Sequence, residues 1–466
     1  MKKLSLRYKL IYAMGNLGIA LITVMQTLFM VYFFFPPKDA GIPYLIPQGE
    51  LILGLTLFGV IMGVGRMIDA VFDPVIASFS DRLKHPDGRR IPMMRWAVLP
   101  FVLCWTAVFF VPDSTGINTL NTLWLAVFML LGVFFFTAYM IPFYSLMVEV
   151  AKSSEDKVDL GTISSAFWFA GFLIVSFSPG AWPLVSEALG VSAIWGIRIT
   201  FSAIAVVGLA CLLVPVLLID ERKFADPSVK RSHQGLLPSL GKVLRNRSFS
   251  YYLAANTSYS IASTIFESGL IYFITVLALK GAGLQGTLTT IIGALTLACY
   301  PLVAKLSKNR GKAWVLKVSL LMFAATFGVI TFYGIGELNV YWLFAAVIVL
   351  SPFAQASFGI LPQVVTSDCA AWDQYKSGED HAGMYIAANG FFRKVGGTLG
   401  MLLFTSFLLF GKDVGNDMGI RYATVFAAVM AVLGMLLMTR YDEREILTYT
   451  EAFNGPDAAH AEGKEG

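Results

Sequence analysis

Charge is scarce in this chain of 466 residues. Asp, Glu, Lys and Arg together make up 14% of it, where a soluble globular chain carries about 25%. Hydrophobic residues make up 56%, and the mean hydropathy is +0.69. That balance excludes a soluble protein and points to a chain that lies mostly in lipid. Cysteine is scarcer still, with four residues: Cys104, Cys211, Cys299 and Cys369. None forms a CxxC pair, so neither a disulfide framework nor a cysteine metal site is implied. The four histidines, His85, His233, His381 and His460, fall in polar segments or the tail. No metal-ligand or nucleophile spacing surrounds them, so a membrane enzyme is not expected. A large excess of one charge sign is missing too. The net charge of +5 needs no nucleic-acid partner, because membrane insertion alone places positive residues beside spans. Short alternating strands, the mark of a membrane barrel, are not seen. No cleavable leader is visible either. MKKLSLRYK is basic, but the apolar run behind it has full span length and no small-residue cleavage site.

What the chain does have is long apolar runs. A span needs about 20 apolar residues, and a backbone in lipid must satisfy its own hydrogen bonds, which favours helices. The expected fold class is an all-α membrane protein with twelve transmembrane helices. The segments run at about 9–35, 50–79, 93–112, 121–147, 162–184, 193–219, 249–277, 284–306, 314–334, 338–366, 382–410 and 418–440. The longest polar stretch between them divides the chain. It predicts a six-helix bundle at 1–219, a cytoplasmic central loop at 220–248, a second six-helix bundle at 249–440, and a disordered acidic tail at 441–466. Lys and Arg crowd the N-terminus, the second and eighth loops and the central loop. The positive-inside rule then puts both termini in the cytoplasm. The halves echo each other. DPVIASFSDRLKHPDGRR follows helix 2 and YPLVAKLSKNRGKAW follows helix 8, while IPFYSLMVEV and GILPQVVTSD end helices 4 and 10. Two such repeats with a solute path between them make the major facilitator architecture.

Charges inside the apolar runs carry the functional signal. Arg66, Asp69 and Asp73 interrupt ILGLTLFGVIMGVGRMIDAVFDPVIA at spacing i, i+3, i+7, so on a helix they share one face. A carboxylate at the bilayer centre costs roughly 2.5–3.5 kcal/mol on insertion scales. The pair therefore reads as a cation site. Carboxylate oxygens suit Na+, and close acids can instead share a proton. Arg66 would hold the empty site neutral. The alternative is an ion pair that fixes helix 2 against a neighbour. Lys394, about ten residues into helix 11 and beside Gly396 and Gly397, must face a cavity or a carboxylate unless it snorkels. Asp69 or Asp73, approached from the other half, would be its natural partner. Glu267 is a lone acid within helix 7, and with Asn256 it is a candidate for lining the cavity or for a structural hydrogen bond. Most of the aromatics are expected simply to pack in helices or sit in interfacial belts, and Tyr144, beside IPF, is the one ranked highest for solute contact. Asp81, Arg82, Arg89 and Arg90 in SDRLKHPDGRR are either a cytoplasmic latch or simple topology signals.

At these residues the resemblance becomes specific. GRMIDAVFDP, IPFYSL, FFRKVGG behind SDCAAWDQYKSGEDHAG, and YKLIYAMGNLG together resemble the glycoside–pentoside–hexuronide:cation symporter family. The resemblance covers nearly the whole chain. It implies symport of a small solute, a sugar or glycoside, with Na+, Li+ or H+ by alternating access in the inner (plasma) membrane. It implies no cofactor beyond the coupling ion and no metal beyond Na+; a monomer is expected. It also implies Thr137 as a third oxygen at the Asp69–Asp73 site, a coupling role for Lys394, and a cytoplasmic-gate role for Asp368 and Asp373. Four departures stand out. Where the family's pattern has its main polar sugar contacts, this chain has Met140, Ala20 and Ser164, and Phe72 stands where a side-chain amide is expected. A site built to hydrogen-bond hydroxyls loses much when those partners go. The alternative cargo is therefore a lysolipid or other amphipathic solute, and the missing oxygen at Phe72 favours H+ over Na+. A receptor or scaffold on the same fold is a third reading; a scaffold would have no use for the buried charges.

Overall fold

The structure is a computed structural model that describes residues 4–52, 54–83, 85–150, 154–223, 244–333, 340–377 and 382–447. Among these residues thirteen α-helices have both ends described: α1 (Leu6–Phe34), α2 (Leu57–Arg82), α3 (Ile91–Ala107), α4 (Thr119–Val150), α5 (Ser154–Ser176), α6 (Ser178–Leu189), α7 (Ala193–Leu218), α8 (Arg247–Tyr272), α9 (Leu284–Arg310), α10 (Lys312–Phe332), α11 (Val340–Ser377), α12 (Ala382–Phe407) and α13 (Met418–Met438). The strands described are a short antiparallel ribbon, β1 (Glu50–Ile52) and β2 (Leu55–Thr56), in register Glu50↔Thr56. Ten of the helical stretches are long and apolar enough to cross a membrane. α2 carries several charges within its 26 residues, and α3 is only 17 residues long.

Each of the twelve predicted segments is helical, with four changes of outline. The second starts at Leu57 rather than 50. Gly54 sits at φ +76° in the ribbon turn, and the Thr56 hydroxyl then caps the helix by accepting from the Gly59 N–H. The third stops at Ala107. The fifth is two helices that meet at Phe177, with Pro179 tolerated in the first turn of α6. The tenth continues to Ser377 as α11. Order also continues past Arg440: Tyr441 and Ile446 are buried and residues 443–447 are helical. Most of the expected central loop, 224–243, and the expected tail from 448 lie outside the described residues.

By backbone proximity the chain forms two compact units. One holds Met1–Arg231, Phe266–Thr290 and Met401–Ile420; the other holds Ser232–Ile265, Ile291–Gly400 and Arg421–Gly466. In the first, α1 packs on α5 and α7, and α4 packs on α2 and α3. Lys9 joins α1 to α5 through Asp156 at 3.0 Å and Asp159 at 2.6 Å. In the second, α10 packs on α11, and Gly396 and Gly400 bring α12 against α8. A Cβ at either glycine would lie 2.7 Å from a backbone oxygen, of Thr257 and Ile261 respectively.

A matching device occurs in both units. The Glu221 carboxylate accepts from the N–H groups of Arg89, Arg90 and Ile91 at 2.7–3.0 Å and caps α3. The Glu443 carboxylate accepts from Lys312 and Ala313 at 2.7 and 2.9 Å and caps α10. Anionic caps suit helix N-termini, where unpaired N–H groups and the dipole converge. Gly88 at φ +112° and Gly311 at φ +90° bring the chain to these caps, and a side chain on either glycine would meet the carboxylate.

Candidate cation and solute site

α2 presents Arg66, Asp69 and Asp73 along one face, as their spacing predicts. Asp69 is 5% exposed, Arg66 and Asp73 are half-buried, and all three belong to the first unit. Across the α2–α4 seam the Thr137 hydroxyl, itself buried, donates to Asp69 Oδ1 at 2.8 Å. Two of the three expected cation ligands are therefore in direct contact, from helices with the whole of α3 between them in the chain. A buried carboxylate beside a hydroxyl is an oxygen-rich, anionic pair. Its chemistry fits a proton or a hard monovalent cation. Phe72 lies edge to face on Phe134, ring centroids 5.2 Å apart. It fills the α2–α4 seam with an aromatic face and supplies no oxygen. Among the described residues no cluster of three His, Cys, Asp or Glu side chains could hold a metal ion.

The candidate solute residues divide by environment. Ala20 is fully buried in the α1–α5 seam, where it faces Gly171. Met140 is buried within α4, and the Tyr144 side chain one turn later is 55% exposed. Ser164 is buried, and its hydroxyl has no hydrogen-bond partner among the described residues. Glu267 is half-buried in the first-unit part of α8. Asn256, in the second unit, donates to the Asn389 side-chain oxygen at 2.8 Å, and this ties α8 to α12. Lys394 is half-buried on α12. At 100° per residue its position is roughly opposite the seam formed by Asn389, Gly396 and Gly400. Arg393 next to it is exposed.

At the basic end of the helices, Arg90 is fully buried, and its guanidinium donates to the Ser80 hydroxyl at 2.7 Å. Arg89 contributes its backbone N–H to the Glu221 cap. The side chains of Asp81 and Arg82 lie outside the described residues. Asp368 pairs with Lys312 at the start of α10, and Asp373 lies half-buried one to two turns further along α11. Sequence reasoning passed over Glu221 and Glu443, although a signal was there. Asp-Glu-Arg occurs at 220–222 and again at 442–444, after the last helix of each predicted half. It also passed over Asn389, which has no local pattern to mark it.

A family model described as MFS/sugar transport protein matches residues 11–443. The chain belongs to that family. Among its relatives is the uncharacterized symporter sll1374 of Synechocystis sp., 24% identical over 62% of this chain. The match spans half the length of sll1374. YagG of Escherichia coli K12, named for glycoside/cation symport, is 21% identical over 86% of this chain and 82% of its own. The crystal structure of the nucleoside transporter NupG has a TM-score of 0.63 at 14% identity, covering 94% of this chain and all of that one. These likenesses make the protein an integral membrane secondary transporter with the major facilitator fold, not an enzyme. The glycoside–cation symporter grouping expected from its motifs stands with them.

Proposed function

We propose that this transporter couples entry of a sugar or glycoside to a cation, H+ or Na+, by alternating access. The observation that carries the reading is the buried Asp69 carboxylate with the Thr137 hydroxyl against it, on the helix that also holds Asp73 and Arg66. Asp69, Asp73 and Thr137 would hold the cation. Arg66 and Lys394 would balance the carboxylates between cycles. Cation binding then replaces those internal counter-charges, and the solute-loaded protein changes the side to which it opens. The sugar assignment rests on the family description and on YagG's name. Inner-membrane location, cytoplasmic termini, a monomer and the two six-helix halves complete the reading. They are supported by the distribution of Lys and Arg, by the fold, and by the repeated Asp-Glu-Arg caps.

A second cargo reading is favoured by specific contacts. Ala20 is closed into a helix seam and Met140 is apolar and buried, so both lack the groups that bind hydroxyls. An amphipathic solute such as a lysolipid would suit them better. The test has two arms. Asp73→Asn should abolish concentrative uptake while solute exchange persists; unchanged accumulation would remove Asp73 from the cation site. Thermal stabilisation of the purified protein by sugars, lysolipids, Na+, Li+ and pH then ranks the cargo. Protection by lysolipids and by no sugar would overturn the sugar assignment.

A further inference from the structure

Two connectors meet in the first unit, one from α1 to α2 and one from α12 to α13. Several contacts hold them. The Lys38 N–H donates to Asp413 Oδ1 at 2.8 Å, and Lys38 Nζ lies 3.4 Å from Oδ2. The Tyr272 hydroxyl donates to the Phe35 carbonyl at 2.8 Å. Thr56 and Thr405 share a buried hydroxyl hydrogen bond at 3.1 Å. At the centre is Lys412, 8% exposed. Its ammonium donates to the Gln48 amide oxygen and stands 4.9 Å from the Phe35 ring and 4.7 Å from the Tyr44 ring. The Gln48 amide nitrogen donates to the carbonyls of Phe34 and Ile46, so its oxygen is aimed at the lysine. Asp413 is engaged by Lys38, and no carboxylate lies within ion-pair distance of Lys412 among the described residues.

We propose that Lys412 keeps this closure reversible. When the connectors come together they bury its cation without an acid, and that desolvation favours their parting again. A buried charge with only neutral partners is held at a cost, and the two rings return part of it. The titratable groups on the connectors are Lys38, Asp39, Tyr44 and Glu50 on one, and Asp413 and Asp417 on the other, with Tyr272 packed on Phe35. Burial pushes the Lys412 ammonium down from 10.5 to about 8, and the nearby Asp413 charge opposes the shift. The sign follows. The closed form has the lower pKa, so it sheds its proton first, and closure strengthens as pH rises from about 8 toward 10.5. The basic-loop orientation makes this the outer face, and the cycle in which it opens rests on the alternating-access reading above.

The experiment places Thr56→Cys in a background with Cys104, Cys211, Cys299 and Cys369 replaced by alanine. The purified protein in nanodiscs is labelled with a water-soluble methanethiosulfonate. Ile117→Cys, at a position 56% exposed, corrects for reagent chemistry at each pH. Labelling of Thr56→Cys should slow roughly 25-fold between pH 7 and 9.5. Adding Lys412→Met should slow it at least threefold at pH 7 and remove the pH response. Adding Lys412→Arg, which stays charged, should label like the parent at pH 7 with no slowing at 9.5. A misfolded variant would label faster, so slowing does not come from loss of the fold. If Lys412→Met gives no folded protein, the parent against Lys412→Arg decides alone. Labelling of Lys412→Met as fast as the parent, or a parent pH response no different from that of Lys412→Arg, overturns the proposal. No solute or cation enters this measurement. Failure of the symport reading would show instead in the uptake of Asp73→Asn and leave this result standing.

Discussion

The Thr137 hydroxyl reaches the Asp69 carboxylate across the α2–α4 seam, and its removal tests the site at the scale of one atom. A hydrogen bond to a charged group contributes about 1.5–3 kcal/mol. Thr137→Val should therefore raise the cation concentration for half-maximal uptake by about ten- to a hundredfold, and Thr137→Ser should restore most of the affinity. Uptake measured against Na+ and against pH reads this directly, and it also says which ion couples. Asp69 and Asp73 were legible from sequence because a carboxylate in an apolar run has few innocent explanations. Ala20 and Met140 were legible only as departures from a pattern. That Ala20 closes a helix seam depends on Gly171, some 150 positions away, and no local spacing reports that.

Helices in this chain were easy to find and their ends were not. Apolar length marks a span, but the start of α2 is set by the Gly54 turn and the Thr56 cap, and the break at Phe177 by where α6 can begin. The two glutamate caps carry the element-scale prediction. Removing Glu221 leaves three buried or half-buried N–H groups at the start of α3 without their acceptor, and removing Glu443 does the same to two at α10. Each Glu→Ala substitution should destabilise the purified protein by about 1–3 kcal/mol, seen as a lower midpoint in thermal unfolding in detergent. Glu→Gln should lose less, because the amide oxygen still accepts. Gly88→Ala and Gly311→Ala should behave like the cap removals, since positive φ and the carboxylate both oppose a Cβ there. An unchanged midpoint in both cap variants would show that the contacts do not bear on stability.

For the whole molecule, the proposed cation-coupled entry of an uncharged solute would make transport electrogenic, and the membrane potential would contribute about 2.3 kcal/mol per charge per 100 mV. An inside-negative potassium diffusion potential imposed on proteoliposomes should therefore raise initial uptake severalfold, and Asp73→Asn should abolish the response. Uptake indifferent to potential would mean that no net charge crosses with the solute. The sequence by itself determined the membrane setting, the twelve helical segments, the family and the acids on α2, because each rests on composition or on spacing within one helix. Only the tertiary structure decided that Thr137 meets Asp69, that Asp-Glu-Arg marks a helix cap in each unit, and that Gln48 and two aromatic rings cage Lys412. The reason is physical. Helical periodicity says which face a residue takes along its own helix, and nothing local says which distant backbone or ring will meet that face when the helices pack.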